Sequence, residues 1–197
     1  MMYLNTVEEI RSPVSARSLI DWARLDENDP TVTSCLSIAT SMVISYLKLD
    51  LLNRTWSLKF KEWPNAGTYM RDSISPNTLY ARLIIELPNA NLQSITSVRI
   101  NNVLTTDYTV LDVKPAAIQF TDIATYDSDN YALEIDYIAG YGTNQNDVPM
   151  PIRDAILMTA AYISENRGGC SAGGSALEMS GAKMLLSPYA IRGGIVL

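Results

Sequence analysis

The period of apolar and polar positions changes twice along this chain, from helical to alternating and back, and those changes divide it into parts. Val32, Cys35, Leu36, Ala39, Met42, Val43, Tyr46 and Leu47 recur at intervals of three and four. This is the stripe of one amphipathic helix, from Pro30 to about Lys48. Asp29 or Asn28 serves as its cap, with Pro30 at the first helical position. A shorter helix, opened by Pro13, runs from Val14 to about Ala23 with Ser15 available as cap, and residues 1–12 read as an extended arm. After Asn53 the period becomes two: Trp56, Leu58 and Phe60 face one way, Ser57, Lys59 and Lys61 the other. Leu83, Ile85 and Leu87 repeat the alternation, as do strands at 95–100, 108–113, 116–120 and 131–138, with Asn101–Asn102 as a hairpin turn because Asn tolerates positive φ. Residues 64–78 read as a long loop rich in turn formers.

Leu133 to Arg167 organises the rest. Leu133, Ile135 and Tyr137 alternate with Glu134, Asp136 and Ile138, Gly140 and Gly142 close the strand, and a second helical region follows. Asp147 is placed to cap it, with Pro149 and Pro151 in its first turn. From Ile152 to Ile163 the only strongly polar side chains are Arg153 and Asp154. A helix apolar nearly all round is buried on all sides, either in the middle of a small bundle or against a neighbouring subunit. Beyond it, GGCSAGGSALEMSGAK reads as a flexible loop with one helical turn around Ala176–Met179. The final stretch, MLLSPYAIRGGIVL, carries two apolar clusters, 184–186 and 195–197, around Pro188, Tyr189 and Arg192. Such a tail either folds back on its own domain or inserts into a partner.

These patterns predict an α+β chain: a small bundle of three or more helices, a mostly antiparallel β insertion between the second and the last long helix, and an extended C-terminal tail. The expected divisions are 1–54 (arm and two helices), 55–147 (β insertion), 148–183 (apolar helix and Gly-rich loop) and 184–197 (tail).

Composition narrows the chemistry. At 197 residues and 47% apolar content the chain can bury a core unaided. No apolar run approaches a membrane span, and MMYLNTVEEI has no basic n-region or apolar h-region, so neither a membrane partner nor a secretory signal is expected. Histidine is absent, which removes the usual general base, Ser-His and Cys-His nucleophiles and histidine metal sites. Of the two cysteines, Cys35 fits a helix core position, and with Cys170 it makes no disulfide framework. Net charge is −6, concentrated in 55–147, where 11 acids face 6 bases. A chain that binds nucleic acid by affinity would instead cluster Lys and Arg.

Three constellations resemble functional sites, and each has a commoner explanation. GGSALEMSGAK lacks the Gly-Lys-Ser/Thr of a phosphate loop, since Gly181 is followed by Ala182 and Lys183 by Met184. Asp127, Asp129, Glu134 and Asp136 could hold a divalent cation, but a solvated sheet edge is the commoner role for such acids. Trp56, Trp63, Tyr69 and Tyr80 could stack on a sugar or base, but a β region needs aromatic filling for its core. Arg153 opposes the dipole at its helix start, so it is expected to pair with an acid outside the helix. No cofactor, metal or catalytic site is therefore expected, and the chain reads as a non-enzyme.

In order along the chain, PVSARSLIDWARLDENDPTV with its Ala23-Arg24-Leu25-Asp26, IATSMVISYLKLDLLNRTW, LIIELPNANLQSITSVRI, YIAGYGTNQNDVPMPIRDAILMTAAYISENRG and LLSPYAIRGG resemble the head–tail connector proteins (adaptor or head-completion proteins) of tailed bacteriophages. The resemblance spans nearly the whole chain. It implies a structural virion protein of the neck, assembled as a homo-oligomeric ring, a dodecamer, between the portal protein and a downstream neck or tail protein. Genomic DNA would pass through without specific binding, and assembly would occur in the host cytoplasm. It also implies that the tail docks on the portal through Leu185, Leu186, Pro188, Tyr189, Ile191, Arg192, Ile195, Val196 and Leu197. Subunit contacts are expected at Arg153, Ile156, Tyr162, Glu165 and Arg167. The rival expectation is a β-rich module of a phage tail or receptor-binding part that recognises a glycan or peptide.

Overall fold

The computed structural model describes residues 2–6, 8–61, 83–89, 91–111, 115–120, 132–166 and 174–191. The chain forms two compact units, one of strands, built on Arg54–Gly140 with the N-terminal residues to Glu8, and one of helices, built on Glu9–Asn53 and Tyr141–Ile191.

The helical unit contains α1 (Ala16–Ala23), α2 (Val32–Leu47), α3 (Met150–Glu165), α4 (Ala176–Met179) and α5 (Ala182–Leu186). Ser15 caps α1 as its spacing predicts, its hydroxyl accepting from Ser18 N at 3.1 Å. The other two expected caps act one turn early. Asp29 accepts from Thr31 N at 2.9 Å in the turn before α2, whose own N-cap is Thr31. Asp147 accepts from Asn144 N at 2.8 Å in a single 3-10 turn, and Pro149 is the residue that caps α3. Aspartate competes well for local backbone donors, so it closes the turn rather than the helix.

α3 is the axis of this unit. Ile152, Ala155, Ile156, Leu157, Thr159, Ala160, Ala161 and Ser164 are all buried, with α1, α2, α4 and α5 packed around them. Its core partners include Leu19, Val32, Leu36, Ala39, Val43, Leu47, Leu177, Ala182 and Leu186. Two buried threonines, Thr40 and Thr159, satisfy their hydroxyls on the carbonyls four residues back, Leu36 O and Ala155 O, each at 2.8 Å. Of the two readings left open for this helix, the middle of a bundle is the one observed. The tail expectation is corrected as well: through Ile191 the chain is not an extended tail. α5 is helical, Leu186 is 0% exposed, and Ile191 N donates to Leu47 O at 3.2 Å. Leucine at 186 reaches the core because α5 turns one face onto α3.

The strand unit contains β1 (Met2–Asn5), β2 (Arg54–Phe60), β3 (Leu83–Glu86), β4 (Leu92–Ile100), β5 (Val103–Leu104), β6 (Tyr108–Leu111), β7 (Ala117–Phe120) and β8 (Leu133–Ala139). They make a five-stranded sheet, β1-β2-β8-β4-β5, and a three-stranded one, β3-β7-β6, antiparallel throughout. The two sheets share a core in which Leu58, Ile135 and Tyr137 meet Ile85, Ile118 and Phe120. Tyr137 is fully buried, and its hydroxyl donates to Pro88 O at 2.7 Å, which satisfies the one polar atom it brings inside. Asn101 and Asn102 take φ of 52° and 66°, the paired positive values of the β4–β5 hairpin turn. The α+β class and antiparallel pairing stand, while β1 and β5 exceed the strands that the alternation predicts. Short edge strands carry too few residues to display a period.

Candidate functional site

β8 lies at the centre of its sheet, so Glu134 and Asp136 are not on an edge as expected. Strand order follows from long-range pairing that local alternation does not encode. The pairing places Lys59, Glu134 and Arg99 in one row across β2, β8 and β4, and Ser57, Asp136 and Ser97 in the next. On that outer face Lys59 pairs with Glu134, and Arg99 reaches Asp136 at 3.0 Å and Glu134 at 3.9 Å. Ser97 Oγ donates to Asp136 at 2.7 Å and Ser57 Oγ to Glu134 at 3.3 Å. Partial burial would raise the Asp136 pKa, but hydrogen bonds from Ser97 and Ser57, with the charge and hydrogen bond of Arg99, outweigh it. The carboxyl is held below its ordinary range. Two carboxylates already matched by two cations and two hydroxyls form a cross-strand ladder, not a cation cage. Asp127 and Asp129 lie outside the described residues, and among the described residues no three metal-ligating side chains come together.

Trp56 fills the strand core, the favoured of its two readings, and makes no stacking platform. Its ring is buried in the strand core, and the Arg54 guanidinium sits 4.8 Å from the ring centroid. Trp63, Tyr69 and Tyr80, like the 64–78 loop, lie outside the described residues. Cys35 is a buried free thiol on α2, as its stripe position predicts, and Cys170 is outside the described residues.

Of the expected subunit-contact residues, Ile156 is 0% exposed inside its own unit, so it has no surface to offer. It lies in the core that α3 shares with the four helices packed around it. Arg153 donates to Asn146 Oδ1 at 3.0 Å rather than to an acid, because the 3-10 turn brings that amide against the start of α3. Its Nε is buried without a partner. Tyr162 is half-buried and Glu165 exposed at the far end of α3, and Arg167 is outside the described residues.

The expected portal-docking residues separate into three groups. Leu186 belongs to the core, and Tyr189 and Ile191 pack half-buried against it. Leu185, 37% exposed, and Pro188 face outward, beside Met184 at 83% and Met179 at 50%. Arg192, Ile195, Val196 and Leu197 are outside the described residues. Sequence reasoning missed Met179, and it placed Met184 in the apolar cluster 184–186 without naming it among the docking side chains. Their position opposite Leu186 and Leu177 on one-turn helices is the signal that would have found them. Lys183 pairs with Glu178 at 2.6 Å across the two helices.

No protein-family profile matches the chain, and no curated protein sequence matches it. Its structure, however, is matched nearly end to end. A chain in the neck of an empty GTA particle, computed with C6 symmetry, superposes with a TM-score of 0.71 at 17% identity. A chain in the virion of a native gene transfer agent (GTA) particle gives 0.67 at 16%, and one in the neck of a native GTA particle, computed with C12 symmetry, 0.66 at 18%. Each match covers 98% of this chain and 97% of the other. The chain thus has, over almost its whole length, the fold of chains found in the neck and virion of gene transfer agent particles.

Proposed function

We propose that this chain is a structural protein of the neck of a tailed phage or phage-like particle. The observation that carries the reading is the length of the likeness: strand unit, helical unit and connections all recur in the neck chains, with almost nothing left over on either side. The C6 and C12 symmetry of those necks supports a ring of copies, a dodecamer in the fuller reading, between the portal protein and a downstream neck or tail protein. The ring retains packaged DNA and lets it pass. A net charge of −6 suits that role, because strong phosphate contacts would stall a sliding duplex. The role needs no catalysis, and the charged residues of β8 are engaged in the sheet.

Met184, Leu185 and Pro188 are the side chains offered to the portal, together with Arg192, Ile195, Val196 and Leu197. An exposed methionine cluster suits a partner surface that must adapt its shape. Tyr162, Glu165, Arg167 and Arg153 remain the proposed contacts between neighbouring copies. The protein works in the virion after assembly in the host cytoplasm. Mixing the purified chain with portal rings and measuring sedimentation tests the reading: a portal-bound ring is expected. A chain that never joins portal rings, or virions whose necks show no density for it, would refute the proposal.

A further inference from the structure

The charged side chains of α3 are Arg153, Asp154 and Glu165. Arg153 stands in the first turn, where the backbone dipole already places positive charge, and Glu165 is the last helical residue, at the negative end. Each of these two charges is therefore disfavoured by its own helix. Among the described residues no ion pair joins Arg153 to an acid or Glu165 to a base. Arg153 Nη1 donates to the neutral Asn146 Oδ1 at 3.0 Å, and its Nε is buried without a partner. A pocket of about 150 Å³ opens beside it, lined also by Val14, Ser18, Gln145, Met150 and Asp154. Met150 is 65% exposed, so the pocket lies at the surface. At the other end of α3, Ser164 Oγ, next to the exposed Glu165, is likewise buried without a partner. We infer that Arg153 of one copy takes the Glu165 carboxylate of the next copy into this pocket, so that the start of one α3 meets the end of another around the ring.

Charge decides the occupant. Within one copy the two residues are twelve positions apart on a single helix, roughly 18 Å at about 1.5 Å per residue, so they cannot pair with each other. Between copies the same pairing gives each charge its missing opposite, and it sets the two helix dipoles head to tail. The chemistry fits the open edge of the guanidinium. Carboxylates bind arginine through two parallel N–H bonds, and with Nη1 engaged by Asn146 it is the Nε side that lacks an acceptor. A buried donor without an acceptor costs the free chain stability, which the incoming carboxylate returns. Asp154 also lines the pocket, and its charge limits the gain without giving Arg153 a bond. The pocket and the acid that fills it are different surfaces of one chain. A contact of this kind repeats head to tail and closes into a ring rather than a pair. The inference deepens the ring reading and rests on it.

The test exchanges the charges in the full chain and follows ring formation on portal rings by sedimentation. Arg153→Glu alone and Glu165→Arg alone should each weaken assembly by about tenfold or more, since each sets like charges against one another. The chain carrying both substitutions should assemble like the unchanged one. So should an equimolar mixture of the two single variants, as rings in which they alternate and are present in equal number. Both single variants should keep the helical circular dichroism of the unchanged chain, because neither charge is paired within its own copy. Single variants that assemble as the unchanged chain does would overturn the contact and leave the neck reading standing. Failure of both the double variant and the mixture to recover assembly would overturn it too. Loss of helical signal in Arg153→Glu would assign the arginine to its own unit, with the same result. An unchanged chain that never joins portal rings would instead refute the neck reading, and this contact with it.

Discussion

Replacing Leu186 by alanine separates folding from docking, because this leucine was expected on a docking surface and is found in the core. Its side chain is 0% exposed, held between α5 and α3 with Leu177, Ala182 and Ile156 in the same cluster. Truncating a fully buried leucine removes its transfer free energy and leaves a cavity, about 3 kcal/mol in total. The helical unit is roughly a hundred residues long, so each kcal/mol moves its midpoint by about 4–8 °C. The Leu186→Ala variant should therefore melt more than about 10 °C below the unchanged chain, followed by circular dichroism at 222 nm, which reports the helices. Leu185→Ala, one residue away and outward-facing, should melt within about 2 °C of it, since exposed substitutions stay within about 0.5 kcal/mol. Against portal rings the outward-facing positions should matter instead: Leu185→Ala, and likewise Met184→Ser, should lose co-sedimentation while remaining folded. A Leu186→Ala protein that melts with the unchanged chain would mean that α5 is not part of the core.

Other expectations follow from the strand unit and the turn before α3. Tyr137→Phe removes the donor that satisfies Pro88 O inside the strand core and should cost about 1–2 kcal/mol, read from urea unfolding. Gly142→Ala would drive a methyl group into Asp147 Oδ2 and to 2.6 Å from its Cβ. The carboxylate that closes the 3-10 turn must move, so a loss of about 1–2 kcal/mol is expected in the same assay. Asp136 is held below the ordinary carboxylate range, so its contribution is present above the unfolded value of about 3.9 and is lost as pH falls through the lower folded value. Asp136→Asn should thus lower stability at pH 6, by no more than about 1 kcal/mol for this partly exposed pair, and flatten the decline below pH 4. Parallel acid profiles for the two proteins would count against the ladder.

What could be read from the sequence was what local periodicity encodes. The stripe of α2 from Val32 to Leu47, the inward set Leu133, Ile135 and Tyr137, and the Asn101–Asn102 turn all follow from neighbours within a few residues, and the structure has them in those roles. What could not be read depends on partners far along the chain. Nothing near Glu134 says that β8 is central, since Lys59 and Arg99 arrive from strands on either side of it. The core that holds Ile156 also takes in Leu177 and Leu186, from α4 and α5, each too short to show a helical period and set among glycine, serine and alanine. A helix that looked too apolar for one chain was therefore complete within it. Exposed apolar side chains lie on those short helices, at Met179, Met184 and Leu185, and also elsewhere, at Trp22, Ile38, Val103, Leu104 and Met150.

The way the strand unit is spliced into the helical one has a kinetic consequence. The chain leaves the helical unit after Asn53 and re-enters at Tyr141, and Arg54 and Ala139 are direct cross-strand partners. For α3 to find α2 with the intervening 54–140 segment still unfolded, a loop of that length must close, at an entropic cost of about 4 kcal/mol from length alone. Once β2 and β8 zip together, the two ends are already side by side and that barrier is largely gone. Collapse of the strands should therefore precede and gate the joining of the helices. A stopped-flow trace in which Tyr137→Phe leaves the helix-forming phase unslowed would break that order of events.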